Sequence, residues 1–296
     1  MKRRRFLQIF GASALCATAG PGRAQAGPPD WVGRGFGAEL SLRLDGKGDR
    51  QGVVEALPHL IAAIEADFSL FDPQSALSRL NRGESLTPSP AFRAVLDWTD
   101  ALHQITHGAF DPSIQGIWQA HTGGAPAAPP GWSRVPRSPS GTLKLPDGMV
   151  LTFNGLVQGY AADAVRVLLS NHGFDHALVD MGEFSAIGGP WHIGLTDPAA
   201  GFLAAQHVKD GAVATSSPLA SLVAGHPHLI HPKGLPALWS TVSVEADRAI
   251  LADGFSTAAV FFGREALRDM LERVSGLRRI TLIDFSGNLT TLDATT

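Results

Sequence analysis

The sequence predicts an α+β domain, and three observations carry that prediction. Apolar residues at helical spacing occur both early and late in the chain, around a central block of short alternating segments. The 296 residues are 44% hydrophobic, enough to bury a large core without a metal or disulfide scaffold. Glycine (33) and proline (20) make up about 18% of the chain, below the ~25–30% of low-complexity chains.

Phe36–Leu44 alternates apolar and polar residues, the pattern of a half-buried strand. Gly52–Phe68 places Val54, Leu57, Ile61, Ile64 and Phe68 on one helical face, and Pro90–Ile105 does the same with Val95, Leu96, Trp98 and Leu102. Residues 119–149 are rich in Ala, Pro, Gly and Ser and read as a long surface loop within one domain, because neither flank is complete alone. Met149–Phe153 reads as a strand that turns into a helix over Val157–Leu169, closed by Asn171 and Gly173. Short strands are expected at 176–180, 191–195, 207–215, 226–230 and 239–245. Helices follow at Ala249–Phe262 and Arg264–Val274, then a closing strand at Arg279–Asp284. The body contains no internal repeat and no apolar stretch of membrane length.

The first 26 residues are a different kind of segment. Lys2 and Arg3–Arg5 precede a short apolar run and the small-x-small site Ala24-Gln25-Ala26, as in a secretory signal peptide. Arg3-Arg4-Arg5-Phe6-Leu7 fits the twin-arginine variety, an address read by the export machinery and not an anchor. Leu15 before Cys16 argues against a lipoprotein. The expected product is a periplasmic body from residue 27 to 296, cleaved near Ala26. Cys16 is the only cysteine, so the body has no thiol for a disulfide, an iron–sulfur cluster or a Cys nucleophile. Five of the 24 basic residues and none of the 27 acidic ones lie in the leader, so the body carries a formal −8. That balance argues against nucleic acid as a partner.

Four segments carry chemistry. Asp253 and Thr257 lie four apart, with Ser256 beside them, and on a helix their oxygens share a face. Such hard oxygen donors suit Mg²⁺; a helix start with hydroxyls bonded back to carbonyls is the structural alternative. Asn154–Asp163 turns through Gly155 and Gly159, which lets backbone approach a phosphate or forms a plain glycine turn. It is neither a dinucleotide fingerprint nor a P-loop. Asp111, before Pro112, is a turn former or a polar anchor for a ligand with Phe110 beside a ring. Phe68-Ser69-Leu70-Phe71 is followed by Ser75-Ala76-Leu77-Ser78-Arg79-Leu80-Asn81. A zinc site at His226, His228 and His231 is disfavoured, because 231 points away from the strand face shared by 226 and 228.

Taken in order, these segments resemble the ApbE-like FAD:protein FMN transferases from about Phe36 to Gly263. Further matches are Phe36-Gly37-Ala38, Gly108-Ala109-Phe110-Asp111-Pro112, Gly155-Leu156-Val157-Gln158-Gly159-Tyr160-Ala161-Ala162-Asp163, Val179–Glu183, Thr215-Ser216 and His228–Pro232. The resemblance implies a single T-fold-related domain of mixed antiparallel sheets with packed helices. It implies an enzyme that binds FAD and Mg²⁺ and moves FMN onto a Thr or Ser hydroxyl of an exported or membrane-bound acceptor flavoprotein, releasing AMP. By that analogy Asp253, Thr257, Ser256 and the Gly155 carbonyl hold the metal, while Phe36, Phe71, Ala109, Phe110, Asp111, Thr152 and Gln158 line the flavin nucleotide. His228 is the expected base for the acceptor hydroxyl. The chain departs from the family pattern at Gln158 (Lys in the family), Thr152 (an acid), His231 (Asp) and Glu183 (the second Gly of a pair). Mg²⁺-dependent FAD hydrolysis to FMN and AMP, and flavin binding without catalysis, are the other readings of the same segments.

Overall fold

The computed structural model of the protein describes residues 28–124, 128–136 and 141–294. The expected leader lies outside the described residues, as do 125–127 and 137–140 of the long loop. The chain opens with β1 (Trp31–Gly35), β2 (Ala38–Asp45), α1 (Arg50–Phe68), α2 (Ala76–Asn81), α3 (Pro90–Ile105) and α4 (Gln115–His121). After the long loop come α5 (Asn154–Asn171), β3 (His176–Asp180), β4 (Phe184–Ile187), β5 (Trp191–Asp197), β6 (Gly201–Val208) and β7 (Ala212–Ser216). The chain closes with β8 (Leu222–Val223), β9 (His226–Pro227), β10 (Thr241–Ala246), α6 (Ala249–Ala259), α7 (Arg264–Arg273), β11 (Leu277–Ile283) and β12 (Leu289–Asp293).

Eight strands form one antiparallel sheet in the order β1-β2-β3-β4-β7-β10-β11-β12. Strand alternation sorts its side chains to two faces. Leu40, Leu42, Ala177, Val179, Ala212, Ala214, Val242 and Val244 point to one face and join the main core with α5 and α6. Leu178, Ala186 and Val213 point to the other, where the separate β5–β6 hairpin covers them with Ile193 and Val208. Helix α1 packs on α5 and α3 on α6, so the helices form a double layer on one side. Side-chain caps start the early helices: Asp49, Ser75 and Ser89 each accept a first-turn N–H.

Several expectations are corrected. Phe36 is not in a strand. Phe36 (φ 52°) and Gly37 (φ 76°) form the two-residue turn between Gly35 and Ala38, with both residues left-handed as a tight hairpin requires. The Phe36 N–H donates to Glu65 Oε1 at 2.9 Å, which holds a bulky residue in that conformation. In α1 the inward valine is Val53, and Val54 is exposed. Met149–Phe153 joins no ladder; Leu151 is held on both backbone groups by the Asn81 amide, and Thr152 N–H donates to the Pro112 carbonyl. The expected strand 207–215 is two strands separated by a turn, and the expected strand 226–230 pairs only at His226–Pro227. The long loop carries the end of α4, a 3-10 turn at Trp132–Arg134 and a bridge between Leu86 and Leu143. Helix α5 starts three residues early, at Asn154.

Candidate active site at the crossing of two helices

Glycine sets how closely α5 and α6 approach. A Cβ on Gly159 would stand 2.5 Å from the Ala249 carbonyl oxygen and 2.8 Å from Asp253 Cβ, and one on Gly155 would stand 2.8 Å from Thr257 Oγ1. The Gly159 N–H donates across this contact to Asp253 Oδ2 at 2.9 Å. Inside a regular helix that N–H would point at the Gly155 carbonyl. Gly155 instead has φ −83° and ψ 20°, a ψ roughly 60° from the helical value, which swings its carbonyl off the ladder direction. The Gly155 backbone, the Asp253 carboxylate and the Thr257 hydroxyl therefore converge, and all three residues line one cleft.

The cleft has a volume of about 650 Å³, in the range of small-molecule sites. It runs from the start of α5 past the β3–β4 turn to the inner side of the β5–β6 hairpin. Ala109, Phe110, Asp111, Thr152, Gln158 and His228 also line it. Phe36 and Phe71 do not. They sit in a separate recess of about 70 Å³ that shares Asn154 and Gln158 with the cleft, and Phe71 is 57% exposed. Ser256 lies fully buried behind Asp253: its hydroxyl donates to the Asp253 carbonyl at 3.0 Å and lies 2.8 Å from Ser216 Oγ. Asp111 spends both oxygens on the protein, Oδ1 on Ser113 N–H and Oγ–H and Oδ2 on Trp132 N–H, so it clamps the loop that walls the cleft. Thr152 Oγ1 accepts from Asn154 N–H at the start of α5.

Acidic side chains dominate the charged lining of the cleft, with Arg43 of β2 as its basic member. Burial pushes the Asp253 carboxyl up to about 7, against the Gly159 N–H, which acts to lower it. Burial also holds the Glu183 carboxyl well above the ordinary range, with the Asp253 and Asp180 charges adding to the effect. Asp180 is raised to about 6 by burial, opposed by the Gly182 N–H. Among the described residues none of these three carboxylates forms an ion pair.

His228 lines the same cleft. Its Nδ1 lies 3.2 Å from the Ser221 carbonyl, which can only accept, so the Nδ1 proton is held there, and the Pro218 backbone also hydrogen-bonds the ring. Burial lowers the His228 pKa below the usual value and keeps the ring neutral at pH 7. Trp118 Nε1–H donates to the His228 carbonyl at 2.9 Å, which ties this segment to α4. Trp118, Asp180 and Ser221 have no local sequence signal, since each reaches the cleft only through tertiary packing. Of the other two histidines in that run, His226 stacks on His121 and His231 packs edge-on against Phe261.

A model of the ApbE family matches residues 36–281. The chain belongs to the ApbE family. Its members are flavin transferases, enzymes that move FMN from FAD to a protein, and this chain is one of them. Solved ApbE structures share the fold at low identity. "Flavin Transferase ApbE" from Vibrio cholerae matches with a TM-score of 0.77 at 18% identity over 90% of this chain and 98% of its own. The apo form of the Pseudomonas stutzeri flavinyl transferase ApbE gives 0.73 at 20% identity over 90% and 94%. The apbe protein of Thermotoga maritima gives 0.77 at 20% identity over 89% and 96%. No curated protein matches the chain. In this ApbE-family protein the Gly155–Asp163 segment is the first turns of α5 and Asp253–Thr257 is the middle of α6, so two motifs almost a hundred residues apart in sequence meet at one helix crossing.

Proposed function

We propose that this protein transfers the FMN half of FAD, with Mg²⁺ as cofactor, onto a Thr or Ser hydroxyl of an exported or membrane-bound acceptor flavoprotein and releases AMP. The observation that carries the reading is the α5–α6 crossing, where glycines bring the Asp253 carboxylate, the Thr257 hydroxyl and the Gly155 backbone to one spot on a cleft wall. These are oxygen donors only, and a buried carboxylate without an ion-pair partner fits a hard divalent cation. When bound there, Mg²⁺ would neutralise charge on the diphosphate. Ser256 ties the Asp253 backbone carbonyl to Ser216 of β7, and the Asp111 clamp fixes the loop beside Phe110.

His228 then has a defined task. Its neutral imidazole accepts the proton of the attacking hydroxyl through Nε2 as oxygen bonds to the flavin-side phosphorus, the bridging P–O bond breaks and AMP leaves with that electron pair. Gln158, on the cleft wall, offers the nucleotide a neutral amide donor where the family pattern has a cation. The twin-arginine-type leader argues for a periplasmic enzyme that folds before export.

The test is incubation of the leaderless protein with FAD, Mg²⁺ and an acceptor protein bearing a Ser/Thr flavinylation segment. The expected outcome is in-gel flavin fluorescence on the acceptor, lost in Asp253→Asn. Free FMN without acceptor labelling would replace the proposal with FAD hydrolysis, and bound, unchanged FAD would replace it with an accessory flavin binder.

A further inference from the structure

We infer that Glu183 is part of the cation site and makes dinucleotide binding conditional on the cation, an inference that rests on the reading of the cleft as a site for FAD and a divalent ion. Glu183 follows the tight turn at Gly182 (φ 96°) that ends β3, and it is only 6% exposed yet lines the cleft together with Asp253. Its Oε2 accepts from Thr215 N–H at 3.1 Å; its Oε1 has no hydrogen-bond partner among the described residues. The anchor is itself braced. Thr215 Oγ1 donates to Ser243 Oγ at 3.0 Å, and the Gln206 amide of β6 donates to the same hydroxyl at 2.9 Å. The carboxylate is thus held in place with one oxygen to spare, the arrangement expected of a positioned ligand.

The charges that act on Glu183 are acidic, while the basic residue of the cleft lining is Arg43 on β2. Asp253 and Asp180 are its charged neighbours, and none of the three has an ion-pair partner among the described residues. The side chain packed over the turn is Gln158, whose Nε2 lies 2.3 Å from where a Cβ on Gly182 would be, so the group covering the turn is a neutral amide. A diphosphate carries negative charge of its own, and in a cleft of reduced dielectric it is repelled by this wall until a cation bridges the two. A carboxylate placed here therefore does two things. It raises the affinity of the nucleotide-free protein for a divalent ion, and it enlarges the factor by which that ion improves FAD binding, since the coupling is reciprocal.

The decisive comparison is wild type against Glu183→Gln. Mn²⁺ binding to the nucleotide-free protein is titrated by electron paramagnetic resonance, and FAD binding is titrated by flavin fluorescence with and without Mg²⁺. The expected result is a loss of about tenfold or more in Mn²⁺ affinity and a clear shrinkage of the Mg²⁺-dependent gain in FAD affinity. Glu183→Asp, which keeps the charge, should recover much of both, and Glu183→Ala repeats the charge-removal test if the glutamine variant folds poorly. Unchanged Mn²⁺ affinity and an unchanged Mg²⁺ gain in a folded Glu183→Gln protein overturn the role of Glu183 alone, with acceptor labelling still intact. A wild-type protein that binds neither Mn²⁺ nor FAD overturns both this inference and the function proposed above.

Discussion

Gly159 and Asp180 show how single positions set the properties of the cleft. With a Cβ at Gly159 only 2.5 Å from the Ala249 carbonyl, a methyl group cannot be absorbed by rotating a side chain, because the obstacle is backbone. Gly159→Ala should cost roughly 1–3 kcal/mol of stability, as overpacking of a tight core does, read as a lower urea midpoint at unchanged slope. It should also weaken Mn²⁺ binding by separating α5 from Asp253. Asp180 makes a prediction about pH. Its carboxyl is raised from 3.8 to about 6, chiefly by burial, so the folded state holds the proton more tightly than the unfolded chain does. Stability is then lost as pH rises from about 4 through 6, and the loss levels off above that. Asp180→Asn should remove the effect, with a urea midpoint close to wild type at pH 4 and above it at pH 7.5. At this scale the sequence was informative where geometry is local. Asp253 and Thr257 share a helix face by spacing alone, whereas the proximity of Glu183 to Asp253 depends on β4 lying beside β7 under α6, which no spacing encodes.

Between elements, the capping of α6 explains a residue that the motif contains but the site does not use. Helix α6 has no side-chain cap of its own. Asp163, on α5 and 4% exposed, accepts from the N–H groups of Ala249 (2.9 Å) and Ile250 (3.2 Å) and from Arg248 Nε (3.1 Å). One carboxylate thus starts α6 from a neighbouring helix and fixes the register in which Gly155 and Gly159 meet Thr257 and Asp253. Asp163→Ala leaves two buried donors unpaired and should cost about 3 kcal/mol or more; Asp163→Asn, which keeps one acceptor, should cost less. Chemical denaturation of the two variants checks the order. Helices α1 and α3 were legible because their apolar faces repeat with the helical period and their caps, Asp49 and Ser89, are local. The segment around His228 was not, because Ser221 and Trp118 hold it in place of a ladder, and the strand reading there followed an alternation that the tertiary structure overrides.

The molecule as a whole has two unequal cores on opposite faces of one sheet, and the cleft draws on both. The helix side supplies Gly155, Asp253 and Thr257, packed against the main core through residues such as Leu156, which is fully buried. The hairpin side rests on a small cluster of Leu178, Ala186, Ile193, Val208 and Val213, and Ile193 also lines the cleft. Substitutions in the two cores should therefore separate two properties. Leu156→Ala removes a side chain from the larger core next to Gly155; it should cost about 3–5 kcal/mol and reduce Mn²⁺ affinity along with stability. Ile193→Ala opens a cavity in the smaller cluster, where neighbours at the edge can relax, and should cost about 2–3 kcal/mol. Because Asp253 and Thr257 lie on α6, which packs on the opposite face of the sheet from that cluster, Mn²⁺ binding by the nucleotide-free protein should be unchanged. FAD affinity should fall, since the hairpin wall of the cleft is loosened where the dinucleotide must extend. Parallel titrations of Mn²⁺ and FAD on the two variants test this division. Equal losses of Mn²⁺ affinity in Ile193→Ala and Leu156→Ala would show that the two cores respond as one cooperative unit and that the hairpin is not a separate wall.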